Sequence, residues 1–210
     1  MIKPDYELEK LAIFRGATSV VGVDEVGRGP LAGPVMAAAV VLNPEHIPEG
    51  LNDSKKLGVK RRELLYVQIL ETADVGFGEA SVEEIDEINI LQASLLAMQR
   101  AVHNLTTLPD YALVDGKFIP KALNIPAEGV VKGDAKSVSI AAASIVAKIR
   151  RDQRMESLAQ QFPGYGWERN AGYPTPEHKE AIHRLGITPH HRRSFKPIHN
   201  MLYQGKNLTS

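Results

Sequence analysis

The chain has 210 residues, no cysteine, and 25 basic side chains against 25 acidic ones. This length is enough to bury a full hydrophobic core and predicts one large domain. The lack of thiols excludes disulfides and thiolate metal sites and favours the cytoplasm. No apolar run approaches the ~20 residues of a membrane helix, so we expect no membrane contact. Any metal must bind to oxygen or imidazole.

Charge is unevenly distributed along the chain. Residues 1–147 carry 14 Lys and Arg against 20 Asp and Glu, whereas residues 148–210 carry 11 against 5. Five of the seven histidines also lie in the last stretch. An acidic region beside a basic surface suits metal-dependent chemistry on a phosphodiester. An ordinary basic C-terminal face is the alternative.

Alternating hydrophobic patterns predict an α/β domain with a mixed sheet flanked by helices. Strands are predicted at residues 19–23, 35–42, 75–80, 111–114 and 129–132. Helices are predicted at residues 5–14, 59–72, 83–103, 138–156 and 176–184. The first two strands are predicted to be antiparallel, because a short Gly/Pro-rich turn separates them. Residues 1–156 are predicted to form the core, and residues 157–210 a loop and helical region of the same domain.

Two adjacent carboxylates, Asp24 and Glu25, end the first predicted strand. An ionised side chain in a buried strand is costly unless it is paired or binds a metal. Successive side chains of a strand point to opposite faces, so both carboxylates serve one site only if the pleat breaks. Gly27 and Gly29 favour such a break just beyond them. A strand that simply ends in a polar turn is the alternative.

Two further aspartates, Asp115 and Asp134, follow predicted strands. A plain Asp-Gly turn and a helix-entry residue are their respective alternatives. If these strands end at the same edge of one sheet, all four carboxylates lie close together at that edge. Two unit charges ~4 Å apart repel by ~4 kcal/mol at an effective dielectric of 20, so such a cluster requires protonation or divalent cations such as Mg²⁺ or Mn²⁺. A pair of such ions supports hydrolysis of a phosphodiester.

This set of motifs resembles the bacterial type 2 ribonuclease H family, ribonuclease HII. The motifs are DEVGRGPLAGP at 24–34, DSKKL at 53–57, VDG at 114–116, GDAK at 133–136, the block 139–148 with RD at 151–152, GYPT at 172–175 and HRRSF at 191–195. The resemblance covers residues 19–198. It implies a ribonuclease-H-like fold with a small helical C-terminal region. It also implies hydrolysis, dependent on Mg²⁺ or Mn²⁺, of RNA in RNA/DNA hybrids and of single ribonucleotides embedded in duplex DNA, as in ribonucleotide excision repair.

The resemblance also implies roles for individual residues. The four carboxylates match the metal ligands of the family: Asp24, Glu25, Asp115 and Asp134. The loop that reads the ribose 2′-hydroxyl, the group that distinguishes RNA from DNA, matches Gly27, Arg28 and Gly29. Tyr173 matches a tyrosine that packs on the sugar at the RNA–DNA junction, with a loop aromatic covering the core as the alternative. Lys55 or Lys56 would contact phosphate, with a solvated loop as the alternative.

One departure from the family pattern is visible. Asn170-Ala171 precedes Gly172-Tyr173 where many relatives resemble His-Lys, which puts one phosphate or sugar contact in doubt. Rival functions are a DNA-cutting metal nuclease of the same fold and a binding module without enzymatic activity. A dinucleotide-binding protein fits poorly, because the glycine spacing does not match the usual fingerprint. We expect a monomer.

Overall fold

A computed structural model describes residues 3–203 of the chain. The strands are β1 (Val20–Val26), β2 (Val35–Leu42), β3 (Ala73–Ala80), β4 (Tyr111–Asp115) and β5 (Ala127–Val130). The helices are α1 (Glu7–Phe14), α2 (Val59–Thr72), α3 (Val82–His103), α4 (Val138–Gln161), α5 (Trp167–Asn170), α6 (Pro176–Leu185) and α7 (Lys196–Tyr203). The predicted α/β class is confirmed. None of the helices in the described part of the chain has the length and apolarity needed to cross a membrane.

The five strands form one mixed sheet in the order β3-β2-β1-β4-β5. Strands β1 and β2 are antiparallel, as the short turn between them predicts. Strand β4 pairs with β1 and with β5 in parallel. The chain therefore runs in the same direction in β1, β4 and β5, and these three strands end at the same edge of the sheet.

Several element bounds differ from the sequence prediction. Strand β5 ends at Val130, two residues early, because Lys132 has a left-handed backbone (φ 56°) that begins a turn. Helix α3 is interrupted at Asn89 (φ 68°), whose side-chain oxygen accepts hydrogen bonds from the amides of Leu91 and Gln92. Helices α5 and α7 were not predicted. Helix α5 has only four residues, too few for a periodic signal.

The described residues form two compact units. One contains residues 3–26, 36–79 and 95–149, and the other contains residues 27–35, 80–94 and 150–203. Each unit combines stretches that are distant in sequence. The division at residue 156 stays a prediction.

In the first unit, the sheet packs closely against α4. A Cβ atom at Gly22 of β1 would lie 2.2 Å from the backbone carbonyl carbon of Ser139, so only glycine fits there. Three consecutive residues of α4, Ala141, Ala142 and Ala143, are fully buried in a core cluster that also contains Ala38 and Val40 of β2. This close contact between strand and helix holds β1, and the carboxylates at its end, in a rigid position.

The core of the second unit is built around Trp167, which is fully buried with Met155, Leu158, Ile182 and Ile198. Loop residues Leu31 and Ala32 pack into the same cluster. The segment that follows the two strand-end carboxylates in sequence is thus anchored in an apolar core rather than lying free at the surface.

Candidate metal centre and substrate loop

Three carboxylates converge in the first unit. In the parallel ladder Val23 of β1 pairs with Val114 of β4, so the next residues of the two strands, Asp24 and Asp115, are neighbours. One carboxylate oxygen from each of Asp24, Glu25 and Asp115 lies within 4.8 Å of the others. It is the one such group with metal-binding potential among residues 3–203. Oxygen ligands of this kind suit a hard divalent cation.

The expected break lies just beyond the two carboxylates, where β1 ends at Val26 and Gly27 has φ +94°, but it is not what brings their side chains together. Strand β1 stays in register with β2 beyond both carboxylates, through the pair of Val26 and Met36. Asp24 and Glu25 nevertheless share the cluster. The Asp24 carboxylate accepts a hydrogen bond of 2.8 Å from the amide of the next residue, Glu25. The conformation of the two side chains, rather than an irregular backbone, brings the two groups together.

Burial and negative neighbours dominate the electrostatics of Asp24. Its side chain is almost fully buried, and desolvation raises its pKa well above the ordinary value. The charges of Glu25 and Asp115 raise the pKa further, while a hydrogen bond from Ser144 lowers it. The Ser144 hydroxyl lies 2.9 Å from the Ser54 hydroxyl, and the two groups are hydrogen-bonded to each other. The chemistry of the donor set thus fits a cation, whose charge would offset the repulsion.

Asp134 lies beside this cluster but is not part of the three-residue group. It sits in a short 3₁₀ turn, Gly133–Ala135, directly after β5, and is half-buried. Burial raises its pKa, and the charges of Asp53 and Asp115 raise it further. The Gly133 amide donates a hydrogen bond of 2.7 Å to Asp115, which ties the Asp134 turn to the end of β4.

Asp53 is an acidic neighbour of this cluster that was not predicted from the sequence. Its carboxylate accepts a bond of 2.9 Å from the Lys55 amide and is placed to accept a hydrogen bond from the protonated form of Asp134, which raises the pKa of Asp134. The positive charge of Lys55 lowers the pKa of Asp134, whereas Lys56 forms an ion pair of 3.8 Å with Asp53. Both predicted phosphate-contacting lysines thus stand beside acidic groups of the first unit. The signal that could have found Asp53 is its position as the first residue of the DSKKL motif.

The glycine-rich loop belongs to the second unit. Gly27 has φ +94°, and a Cβ atom there would lie 2.2 Å from the Nε atom of Arg151, so no other residue fits. Tyr173 is 42% exposed, which argues against the alternative of a core-covering aromatic. The Cε1 atom of its ring lies 3.4 Å from the position of a Cβ atom on Gly29. The structure therefore brings the loop and the tyrosine together.

The departure at Asn170-Ala171 has a structural explanation. Asn170 is buried, and its side chain donates to the Tyr165 carbonyl (2.8 Å) and accepts from the Gly172 amide (2.8 Å). Ala171 adopts a left-handed backbone (φ 48°), which costs about 1 kcal/mol for a residue with a Cβ. Asn170 therefore shapes the turn that presents Tyr173.

Two buried histidines, His178 and His191, form a hydrogen-bonded pair that is bonded to the same turn. Trp167 donates to Nε2 of His178 (2.9 Å), and the Thr188 amide donates to Nδ1 of His191 (2.9 Å). These donors leave His191 Nε2–H to donate to His178 Nε2 (3.2 Å), and His178 Nδ1–H to donate to the Tyr173 carbonyl (2.9 Å). Every ring nitrogen is satisfied with both rings neutral. Burial lowers the pKa of His178, and it lowers that of His191 to about 3.

By its fold, the chain is a ribonuclease-H-like protein. The crystal structure of ribonuclease H2 from Pyrococcus horikoshii matches with a TM-score of 0.73 and 29% identity, covering 89% of this chain and 98% of that one. The Mn²⁺ complex of Bst-RNase HIII matches with a TM-score of 0.71 and 20% identity, over 90% of this chain and 70% of that one. The second likeness concerns the fold alone.

Sequence comparison identifies the family. The ribonuclease HII family profile matches residues 21–198. Ribonuclease HII of Ruegeria pomeroyi is 64% identical over 204 residues, covering 97% of this chain and 87% of the relative. Ribonuclease HII of Paracoccus denitrificans is 59% identical over 206 residues, 98% of either chain. The chain belongs to the ribonuclease HII family.

Proposed function

We propose that this protein is an endoribonuclease that hydrolyses the RNA strand of RNA/DNA hybrids and cuts on the 5′ side of ribonucleotides embedded in duplex DNA. The observation that carries the proposal is the cluster of Asp24, Glu25 and Asp115 at the ends of two parallel strands. Membership of the ribonuclease HII family supports the choice of substrate.

We assign Asp24, Glu25, Asp115 and Asp134 as ligands of Mg²⁺ or Mn²⁺. Two such ions, when bound, supply activation of the attacking water and neutralisation of the leaving 3′-oxygen. The chain contributes the rigid placement of the carboxylates. Asp24 is held by the Glu25 amide and Ser144, and Asp115 by the Gly133 amide.

We assign recognition of the ribose to the second unit. Gly27, Arg28 and Gly29 would read the 2′-hydroxyl largely by backbone contacts, because glycine lets a ligand approach the main chain closely. Tyr173 would pack on the sugar at the RNA–DNA junction, and its exposed ring beside Gly29 supports this role. Lys55 or Lys56 would contact phosphate. We further propose that the protein acts as a monomer in the cytoplasm.

The decisive experiment uses two duplexes that differ by a single 2′-hydroxyl. We expect Mg²⁺- or Mn²⁺-dependent cleavage of the ribonucleotide-containing duplex and none of the all-DNA duplex. Mass analysis should find a 5′-phosphate on the ribonucleotide and a 3′-hydroxyl upstream, since water rather than the 2′-hydroxyl is the nucleophile. A 2′,3′-cyclic phosphate would contradict the mechanism. Equal cleavage of both duplexes would favour the rival function, a DNA nuclease of the same fold.

A further inference from the structure

Arg192 is a fully buried arginine whose whole guanidinium is directed at the glycine-rich loop. Its three nitrogens donate to three carbonyls of that loop: Nε to Gly33 at 2.9 Å, Nη1 to Arg28 at 3.1 Å and Nη2 to Gly27 at 2.6 Å. The carbonyls belong to the residues assigned to ribose recognition and to the far end of the same loop. One side chain therefore fixes both ends of the loop.

Arg151 joins the same loop to the turn that carries the tyrosine. It is 1% exposed. Its nitrogens donate to the carbonyls of Pro34 (3.2 Å), Ala32 (3.3 Å) and Ala171 (3.0 Å). Ala171 lies two residues before Tyr173. A direct backbone bond of 2.8 Å, from the Leu31 amide to the Gly172 carbonyl, reinforces this link.

Burial of two charged arginines is unfavourable, which indicates that their hydrogen bonds to the loop matter. Burial lowers the pKa of Arg151 to about 10 and that of Arg192 to about 9, and the charge of Arg151 contributes to the shift at Arg192. Both values lie above neutral pH, so both side chains stay cationic. Burying a cation is unfavourable, and apolar side chains would fill the same space at lower cost. The six carbonyl bonds give a defined loop conformation in return.

Only arginine provides this arrangement. The guanidinium is planar and presents five donors in a rigid fork, whereas the lysine ammonium is a single point with three rotatable donors. A lysine at either position keeps the charge but cannot reach three carbonyls that are spread along a loop. The two properties, charge and geometry, can therefore be separated by experiment.

We propose that Arg151 and Arg192 are positioning residues for ribose recognition. They hold the loop at Gly27–Gly29 and the ring of Tyr173 in the one relative arrangement that accepts a sugar with a 2′-hydroxyl. Neither arginine touches the substrate, and both act through backbone carbonyls. The inference rests on the proposed function and deepens it, because it names what sets the discrimination between ribose and deoxyribose.

The test compares Arg192→Lys and Arg151→Lys with Arg193→Lys and Arg150→Lys, their exposed neighbours, as matched controls. We expect kcat/KM on a duplex with one ribonucleotide to fall ~10–100-fold in the buried variants, because a displacement of about 1 Å is enough for such a loss. Affinity for the all-DNA duplex and Mn²⁺ binding by calorimetry should not change. Both control variants should match wild type in every measurement.

The outcomes separate positioning from a merely structural role. A structural role lowers the folded fraction, which reduces kcat on every substrate and the number of Mn²⁺ ions bound per chain in the same proportion and leaves KM unchanged. That pattern, or wild-type kcat/KM in both buried variants, overturns the inference alone. Wild-type protein that treats the two duplexes alike overturns the proposed function and the inference with it.

If a lysine variant does not fold, the test is hydrogen exchange in the same loop of the wild-type protein. The amides of Leu31 and Gly33 donate to the carbonyls of Gly172 and His190, respectively. Hydrogen-exchange protection of these two amides comparable to that of α6 supports a rigidly positioned loop. Exchange at the rate of an exposed loop overturns the inference.

Discussion

At the scale of a single residue, two features of the surroundings of Asp24 disfavour the charge of its carboxylate. It is buried, which disfavours its charge, and it stands beside two other carboxylates, which disfavours the charge further. A folded protein accepts this cost at a functional position, where a ligand of opposite charge restores the balance. The raised pKa means that folding favours protonated Asp24. Above the ordinary pKa of an aspartate, this carboxylate therefore destabilises the metal-free protein.

Removing this charge should separate activity from stability. We expect Asp24→Asn or Asp115→Asn to lose at least ~10³-fold in turnover, the scale of losing a major electrostatic element. Metal-free Asp24→Asn should melt at a higher temperature than wild type at pH 7. This gain should shrink as the pH falls below the folded-state pKa of Asp24 and should disappear near the ordinary aspartate pKa of about 4, because Asp24 is then neutral in both the folded and the unfolded wild type.

Cleavage assays at saturating Mg²⁺ and thermal melts in the presence of a chelator check both parts. Glu71→Gln, an exposed position on α2, serves as the control and should change neither. Near-normal cleavage by either folded aspartate variant would remove that residue from the metal site.

Tyr173 permits a second test at the same scale. If its ring packs on a sugar, the aromatic face matters and the hydroxyl does not. Ring stacking on nucleic acid is worth ~1–3 kcal/mol per base by alanine substitution, so Tyr173→Ala should lose ~10–100-fold on a single embedded ribonucleotide. Tyr173→Phe should keep most activity. The alanine loss should be smaller on an all-RNA hybrid strand, and an equal loss on both substrates with a lowered melting temperature would make the residue structural.

At the scale of elements, the packing of β1 on α4 determines where the carboxylates stand. A Cβ atom at Gly22 would overlap the Ser139 backbone, which cannot move without shifting the whole helix. Overpacking of a core typically costs ~1–3 kcal/mol, and a clash with backbone belongs at the upper end. Gly22→Ala should therefore lower the free energy of unfolding by ~3 kcal/mol, measured by urea denaturation.

Gly58→Ala is the matched control for this substitution. Gly58 precedes α2 with an ordinary φ of −67°, and nothing lies within 4 Å of the position that an alanine methyl group would take there. Its effect should stay within about 0.5 kcal/mol, as for most surface changes. Equal effects of the two substitutions would contradict the tight contact between strand and helix.

The elements themselves were largely predictable from local pattern. The bounds of β2 and α2 agree with the prediction to the residue, because each carries a continuous apolar or periodic signal. The antiparallel pairing of β1 with β2 followed from the short turn. The interruption at Asn89 was not predictable, because its cause is the backbone conformation of a single residue inside a long predicted helix.

At the scale of the whole molecule, stability should depend on acidic pH through the buried histidines. Folding lowers the pKa of His178 and His191, the latter to about 3, whereas unfolded histidines titrate near pH 6.5. The unfolded state therefore binds more protons below pH 6.5. The stabilisation is complete above that pH and is lost as the pH falls from about 6.5 toward 3, by up to ~1.4 kcal/mol per pH unit for each group.

Urea unfolding at pH 7, 6 and 5 measures this dependence. The double variant Asp24→Asn/Asp134→Asn is the better background, because folding raises the pKa of both aspartates and their protonation acts in the opposite direction in wild type. We expect unfolding free energy to decrease at each step, and the ring resonances of His191 to stay constant from pH 8 to 5. Equal stability at pH 7 and pH 5 in this variant would contradict the neutral histidine pair.

The sequence by itself determined the fold class, the family resemblance and the order of carboxylates along the chain. Each of these is a property of local pattern, since a strand and the acid that ends it are neighbours in sequence. Only the tertiary structure decided which groups meet. Asp24 and Asp115 are adjacent because β1 and β4 pair in parallel, and Asp53 meets Asp134 across a similar separation. The burial of Arg151 and Arg192 was equally invisible, because a charged side chain in a motif carries no local sign of whether it faces water or the core.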